Sequence, residues 1–111
     1  MRVSFVHTPQ VYYEQTYGAR FIPLWAYTLA AHIPEGWDVS IYDCTLQSPS
    51  CIPEAEVYAF SGMNQDFEPM KAACGYLKVK YPQSLFVVGG PITWSYEKDN
   101  KLQELEYFDH L

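Results

Sequence analysis

Apolar and polar positions along this chain switch between a rhythm of two and a rhythm of 3.6, the signature of strands alternating with helices. Arg2-Val3-Ser4-Phe5-Val6-His7-Thr8 predicts a first strand, stopped by Pro9, which has no N–H to give a ladder. A polar loop through Tyr12, Tyr13, Tyr17 and Gly18 follows. Pro23 then opens a helix to about Ile33, with Leu24, Tyr27, Leu29, Ala31 and Ile33 on or near its packing side, and Pro34-Glu35-Gly36 ends it. Trp37 to Asp43 predicts a second strand with Trp37, Val39 and Ile41 on one face and Tyr42 opposite. Glu56 to Ser61 predicts a third, and Gly62 permits the turn out of it. Asp66 is placed to cap a helix ending near Tyr81, where Pro82 forces a stop. Phe67, Met70, Ala73, Cys74, Leu77 and Tyr81 fall at helical spacing on it and read as core. Leu85 to Gly89 predicts a fourth strand and Asp99 to Glu106 a weaker helix, while Tyr107-Phe108-Asp109-His110-Leu111 begins a fifth strand.

This order implies a flavodoxin-like (Rossmann-type) α/β fold: an open parallel sheet with helices on both faces. Right-handed crossovers favour the strand order 2-1-3-4 with an incomplete fifth strand at the edge. Strands one and three diverge at the topological switch point, where ligands of open α/β sheets bind. Three segments converge there: Thr8-Pro9-Gln10, Ser61-Gly62-Met63-Asn64 and Gly89-Gly90-Pro91-Ile92. The glycine pair has two readings, a tight strand-to-helix turn needing positive φ or bare backbone that a ligand approaches.

Composition narrows the function classes. With 111 residues, 49% hydrophobic and 18% charged, residues 1–111 make a single globular domain. A net charge of -6 with scattered basic residues argues against nucleic acid and anionic membrane as partners. The 3 cysteines, Cys44, Cys51 and Cys74, show neither metal-site nor redox spacing, which suits reduced thiols in a cytoplasmic protein. The apolar run from Phe21 to Ile33 has no basic lead and is too short to cross a bilayer.

Several motifs together carry a resemblance: Pro23-Leu24 before an alanine-rich helix, Gly36-Trp37-Asp38-Val39 leading to Asp43, Ser61-Gly62-Met63, and Val87-Val88-Gly89-Gly90-Pro91. Over nearly its whole length the chain resembles the amino-terminal cobalamin-binding domain of cobalamin-dependent radical S-adenosylmethionine enzymes. The resemblance implies a serine after the third strand, here Ser61, that contacts the buried nucleotide tail of the corrinoid, and a double glycine, here Gly89 and Gly90, alongside which the tail slides. It places the corrin ring over the strand ends near Thr8, Pro9 and Gln10 and near Met63, Asn64 and Gln65, with Gly62 and Pro91 completing the edge. The Asp-x-His-x-x-Gly loop of the wider fold, whose histidine ligates cobalt, is replaced here by Thr8-Pro9-Gln10-Val11-Tyr12, so no protein metal ligand is assigned.

The resemblance also implies a partner. Radical enzymes of this kind hold an iron-sulfur cluster with Cys-x-x-x-Cys-x-x-Cys, a pattern that Cys44, Cys51 and Cys74 do not make. The cluster and S-adenosylmethionine therefore belong to a missing catalytic barrel, and this chain is an accessory module, whether a fragment or a stand-alone protein, with no catalytic residue of its own. His7 reads as a packed or hydrogen-bonded strand residue, and His32 and His110 carry less weight still. No Gly-x-Ser-x-Gly elbow surrounds Ser61, and Gly89-Gly90-Pro91 lacks the third glycine of a dinucleotide loop. Tyr12, Tyr13 and Tyr17 either cover a planar ligand or pack within their loop. The alternative function is a flavodoxin-like interaction or regulatory domain that binds no cofactor. In either case the incomplete edge strand invites homodimerisation.

Overall fold

A computed structural model describes residues 1–8, 23–44, 47–63, 66–105 and 108–109. Four strands, β1 (Arg2–His7), β2 (Asp38–Asp43), β3 (Val57–Ser61) and β4 (Leu85–Gly89), form one sheet in the order β2-β1-β3-β4. Every pairing is parallel, with β1 against β2 from Arg2↔Asp38 to His7↔Asp43 and β3 against β4 from Val57↔Leu85 to Ser61↔Gly89. The α/β class and the strand order are those the chain's rhythm predicts. Among the described residues, α1 (Leu24–Ala30) lies between β1 and β2, α2 (Phe67–Lys80) between β3 and β4, and α3 (Pro91–Lys98) follows β4, with short 3-10 turns at Pro49–Cys51 and Leu102–Leu105.

Alternation along the strands divides the core in two. On the α2 face, Val6, Tyr58, Phe60, Phe86 and Val88 meet Met70, Ala73, Cys74 and Leu77 of α2 and Ile92 of α3. The α2 stripe is the predicted one, and Phe67 and Tyr81 join it half-buried. Tyr58 stacks on Phe86 at 5.3 Å between ring centroids, and Phe60 meets Phe108 edge-on at 5.4 Å. Each such ring contributes about 1.5–3 kcal/mol by leaving water, which makes this face the main source of stability. On the other face Val3 and Phe5 pack with Ala26 of α1, flanked by Trp25, Ala30, Ile33, Val39, Ile41, Val57 and Ala59.

Several local readings change. Helix α1 stops at Ala30, and its inward residues are Trp25, Ala26 and Ala30, while Leu24, Tyr27 and Leu29 are exposed. The apolar residues of this short helix lie on both sides, and Trp25 decides the outcome: its ring meets Phe5 edge-on at 5.9 Å and its indole N–H donates to His7 Nδ1 at 3.1 Å. The last helix runs over Pro91–Lys98 and not from Asp99, because Pro91 occupies its first turn, where a missing N–H costs nothing. Asp66 sits at the start of α2 without a side-chain cap bond; its Oδ2 accepts instead from the Met63 N–H at 2.9 Å, closing the turn after β3. In place of a fifth strand, the described residues Phe108 and Asp109 form a bend on the β4 edge. There Asp109 N–H donates to Phe86 O at 2.6 Å and Asp109 Oδ2 accepts from Phe86 N–H at 2.8 Å. Tyr107, His110 and Leu111 lie outside the described residues. No helix among the described residues is long and apolar enough to cross a membrane.

Ser4 in β1 is fully buried, and its Oγ has no hydrogen-bond partner. A stranded hydroxyl costs roughly 1–3 kcal/mol of desolvation, so Ser4→Ala is expected to raise stability by about 1 kcal/mol. Urea midpoints check this, and a lower midpoint for the variant would contradict it.

Candidate ligand edge of the sheet

The carboxyl ends of β3 and β4 are tied by the segments that follow them. Ile92 N–H donates to Gly62 O at 2.9 Å, joining the turn after β3 to the first turn of α3. Thr93 reinforces that turn, its N–H and its Oγ1 both donating to Gly90 O at 3.1 and 2.8 Å. Ser61, Gly62, Gly89, Gly90 and Pro91 are thus gathered at one place, as the sequence implies. Met63 lies beside them, exposed. Pro9, Gln10 and Asn64 lie outside the described residues, as do Gln65 and the loop tyrosines Tyr12, Tyr13 and Tyr17.

The three glycines do different work. Gly90 has φ +87 and ψ -167, a region essentially reserved for glycine, and a Cβ there would collide with Ser61 Oγ. A Cβ on Gly62 would meet Met70 Sδ at 2.9 Å and Asp66 at 3.0 Å. These two glycines are needed to turn and pack the chain. Gly89 is different: among the described residues nothing lies within 4 Å of where its Cβ would stand. It is the register partner of Ser61, and strand alternation puts both on the α1 face with Val57 and Ala59. A hydroxyl therefore stands beside an unfilled strip of backbone.

His7 closes the same face on β1. It is 9% exposed, and its Nδ1 accepts from the Trp25 indole, a group that can only donate, so the neutral ring carries its proton on Nε2. The hydrogen-bonded role expected for His7 is the one it has, and a partner on the neighbouring helix fixes its tautomer.

Thr8 departs from this grouping. Its side chain lies with α2, on the opposite face from Ser61 and Gly89, and lines a crevice of about 270 Å³ with Cys44, Ser48, Pro69, Ala73 and Tyr76. The clue was present in β1: Ser4 and Val6 share a face by alternation, and Thr8 continues their series. The crevice was not foreseen, since its walls come from segments far apart in the chain. Burial pushes the Cys44 thiol up to about 11, with the Asp43 carboxylate adding to the rise, so the thiol is neutral and unreactive near neutral pH.

A second cavity, of about 350 Å³, opens at the amino edge among Arg2, Asp38, Glu54, Glu56 and Ser84. Two bonds tie its walls together: the Arg2 backbone N–H donates to Glu56 Oε2 at 2.6 Å, and Arg2 Nη1 donates to the Glu54 backbone O at 3.2 Å. Open α/β sheets bind ligands at the carboxyl edge, which favours the Ser61–Gly89 end. Among the described residues no group of three or more His, Cys, Asp or Glu is gathered to hold a metal ion. No protein-family model and no curated protein matches the chain.

Proposed function

We propose that this chain is a corrinoid-binding module that holds cobalamin at the carboxyl edge of its sheet and serves a radical S-adenosylmethionine methyltransferase-type enzyme in the cytoplasm. The observation that carries this reading is the pairing of Ser61 with Gly89 beside open space on the α1 face. A flat heteroaromatic tail needs that combination: room over bare backbone, and a hydroxyl able to donate to a ring nitrogen. Ser61 and Gly89 would hold the tail, and the backbone of Thr8, Gly62 and Met63 would border the macrocycle. Gly90 and Pro91 support the site by fixing the turn between β4 and α3. Cobalamin when bound supplies a cobalt centre that carries and transfers alkyl groups. The protein's part is to bind, orient and shield it, while the iron-sulfur cluster and S-adenosylmethionine belong to a separate catalytic domain.

The test is co-elution of hydroxocobalamin with the purified chain on gel filtration. Wild type is expected to retain the corrinoid, and Gly89→Leu, which fills the open strip, to bind at least about tenfold more weakly while keeping its thermal midpoint. Absence of co-elution at high ligand excess would overturn the proposal. The second reading, an interaction domain without cofactor, draws on the exposed apolar residues Leu24, Tyr27 and Leu29 of α1. It predicts no corrinoid retention and loss of a protein partner when these residues are made polar.

A further inference from the structure

We propose that the hydrogen bond between Trp25 and His7 is an acid-sensitive latch. It holds α1 on the sheet while the imidazole is neutral and lets the helix go when His7 takes up a proton, with the Asp43 carboxylate favouring that uptake. The device concerns how α1 is held and does not depend on the corrinoid reading.

Helix α1 has little else to keep it in place. Its 7 residues are too few for a helix to persist alone, and of these only Ala26 is fully buried. Trp25 adds the edge-on contact with Phe5 at 5.9 Å and the bond from its indole N–H to His7 Nδ1 at 3.1 Å. An indole nitrogen can only donate, and Nδ1 accepts only while it carries no proton. Both nitrogens of an imidazolium donate, so proton uptake sets two donors against each other at this contact, and turning the ring over does not relieve it.

Among the described residues, the charged group facing His7 is Asp43. It is the register partner of His7 on β2, and alternation with Val39 and Ile41 puts it on the α1 face. Its carboxylate favours the imidazolium, against the burial that disfavours it. On the same face β3 brings Val57, Ala59 and Ser61, and α1 brings no charge, its Tyr27 phenol being exposed. Cys44 lies on the α2 side. His32, past the end of α1, is exposed, with Nδ1 at 2.8 Å from Thr28 O. Release of α1 uncovers Val3 and Phe5 and so extends the open strip beside Ser61 and Gly89 across β1.

The test follows the indole N–H cross-peaks of the ¹⁵N-labelled full chain from about pH 8 to about pH 5, the range in which imidazoles titrate, with His32→Gln in every sample. The Trp25 peak is the one missing from Trp25→Phe. It is expected to move along a single titration curve. The Ala26 and Ala30 amides should move with the same midpoint and become mobile, read as falling heteronuclear NOEs, while the amides of β4 stay rigid. His7→Asn, whose amide oxygen accepts from the indole but takes up no proton, should keep the Trp25 peak fixed throughout. Asp43→Asn should carry the midpoint down by about 0.5 pH unit or more, because the imidazolium loses its carboxylate. Trp25→Phe keeps a ring and removes the donor, so Ala26 should then stop titrating, which keeps the proposal testable if His7→Asn folds poorly. A Trp25 peak that stays fixed with His7 intact, α1 amides that stay rigid at the acid end, motion that survives His7→Asn, Ala26 titration that survives Trp25→Phe, or a midpoint unmoved by Asp43→Asn would each overturn the proposal.

Discussion

Gly90→Ala is expected to lower stability by about 4 kcal/mol, a large part of the roughly 5–15 kcal/mol of a domain this size. Two costs add. Alanine at φ +87 and ψ -167 enters a region that side chains avoid, at roughly 1–3 kcal/mol. Its Cβ also collides with Ser61 Oγ, and overpacking of that kind costs a further 1–3 kcal/mol or so. Ser61→Gly in the same chain removes the collision and leaves the strain, so the double variant should recover about half the loss, a non-additivity that a mutant cycle in urea measures. Gly89→Ala is the control: its φ is not in the positive region and no atom of the described residues lies within 4 Å of the new Cβ, so it should change stability by less than about 1 kcal/mol. If the two alanine variants cost the same, the division of labour between the glycines is wrong.

That division bears on how far the residues alone could lead. Helix α2 is legible because its 14 residues carry five apolar positions on one stripe, Tyr81 continues that stripe, and Pro82 ends the run. Strand β4 was legible because an apolar run between Pro82 and the glycine pair has few other folds open to it. The buried face of helix α1 is not legible in its residues, since seven residues with apolar side chains all round define no face until Trp25 finds His7 and Phe5, contacts that exist only in the tertiary structure. Helix α3 has one start signal, Pro91, and the glycine pair just before it suits a loop equally well, so the residues alone do not separate the two. At the candidate site, parallel alternation brings Ser61 and Gly89 together, and the same rule sends Thr8 to the other face. Which glycine packs against a neighbour and which stands clear depends on distances of a few ångströms, and no residue pattern holds those.

Tyr58 should prove the most sensitive position of the core. It is fully buried, stacks on Phe86 at 5.3 Å and on Tyr81 at 6.3 Å, and its hydroxyl donates to Pro53 O at 2.7 Å while accepting from Ala55 N–H at 3.0 Å. One ring thus fills the α2 face and pins the segment leading into β3. Tyr58→Ala is expected to cost about 3–5 kcal/mol, and Tyr58→Phe, which keeps the ring and leaves those two backbone groups without that partner, about 2 kcal/mol. The hydroxyl also sets an alkaline limit. Burial pushes the Tyr58 phenol from 10.0 up to about 12, and burial likewise raises the Cys44 and Cys74 thiols from 9.0 to about 11. Groups whose folded pKa is raised hold their protons more tightly folded than unfolded. Their contribution is therefore complete below the unfolded values and is lost as pH climbs through the folded ones. Stability should accordingly fall from about pH 9 upward, thiols first and phenol later. Urea midpoints across that range should show a shallower decline for Tyr58→Phe above about pH 10 than for wild type, and parallel curves would remove the phenol from the account.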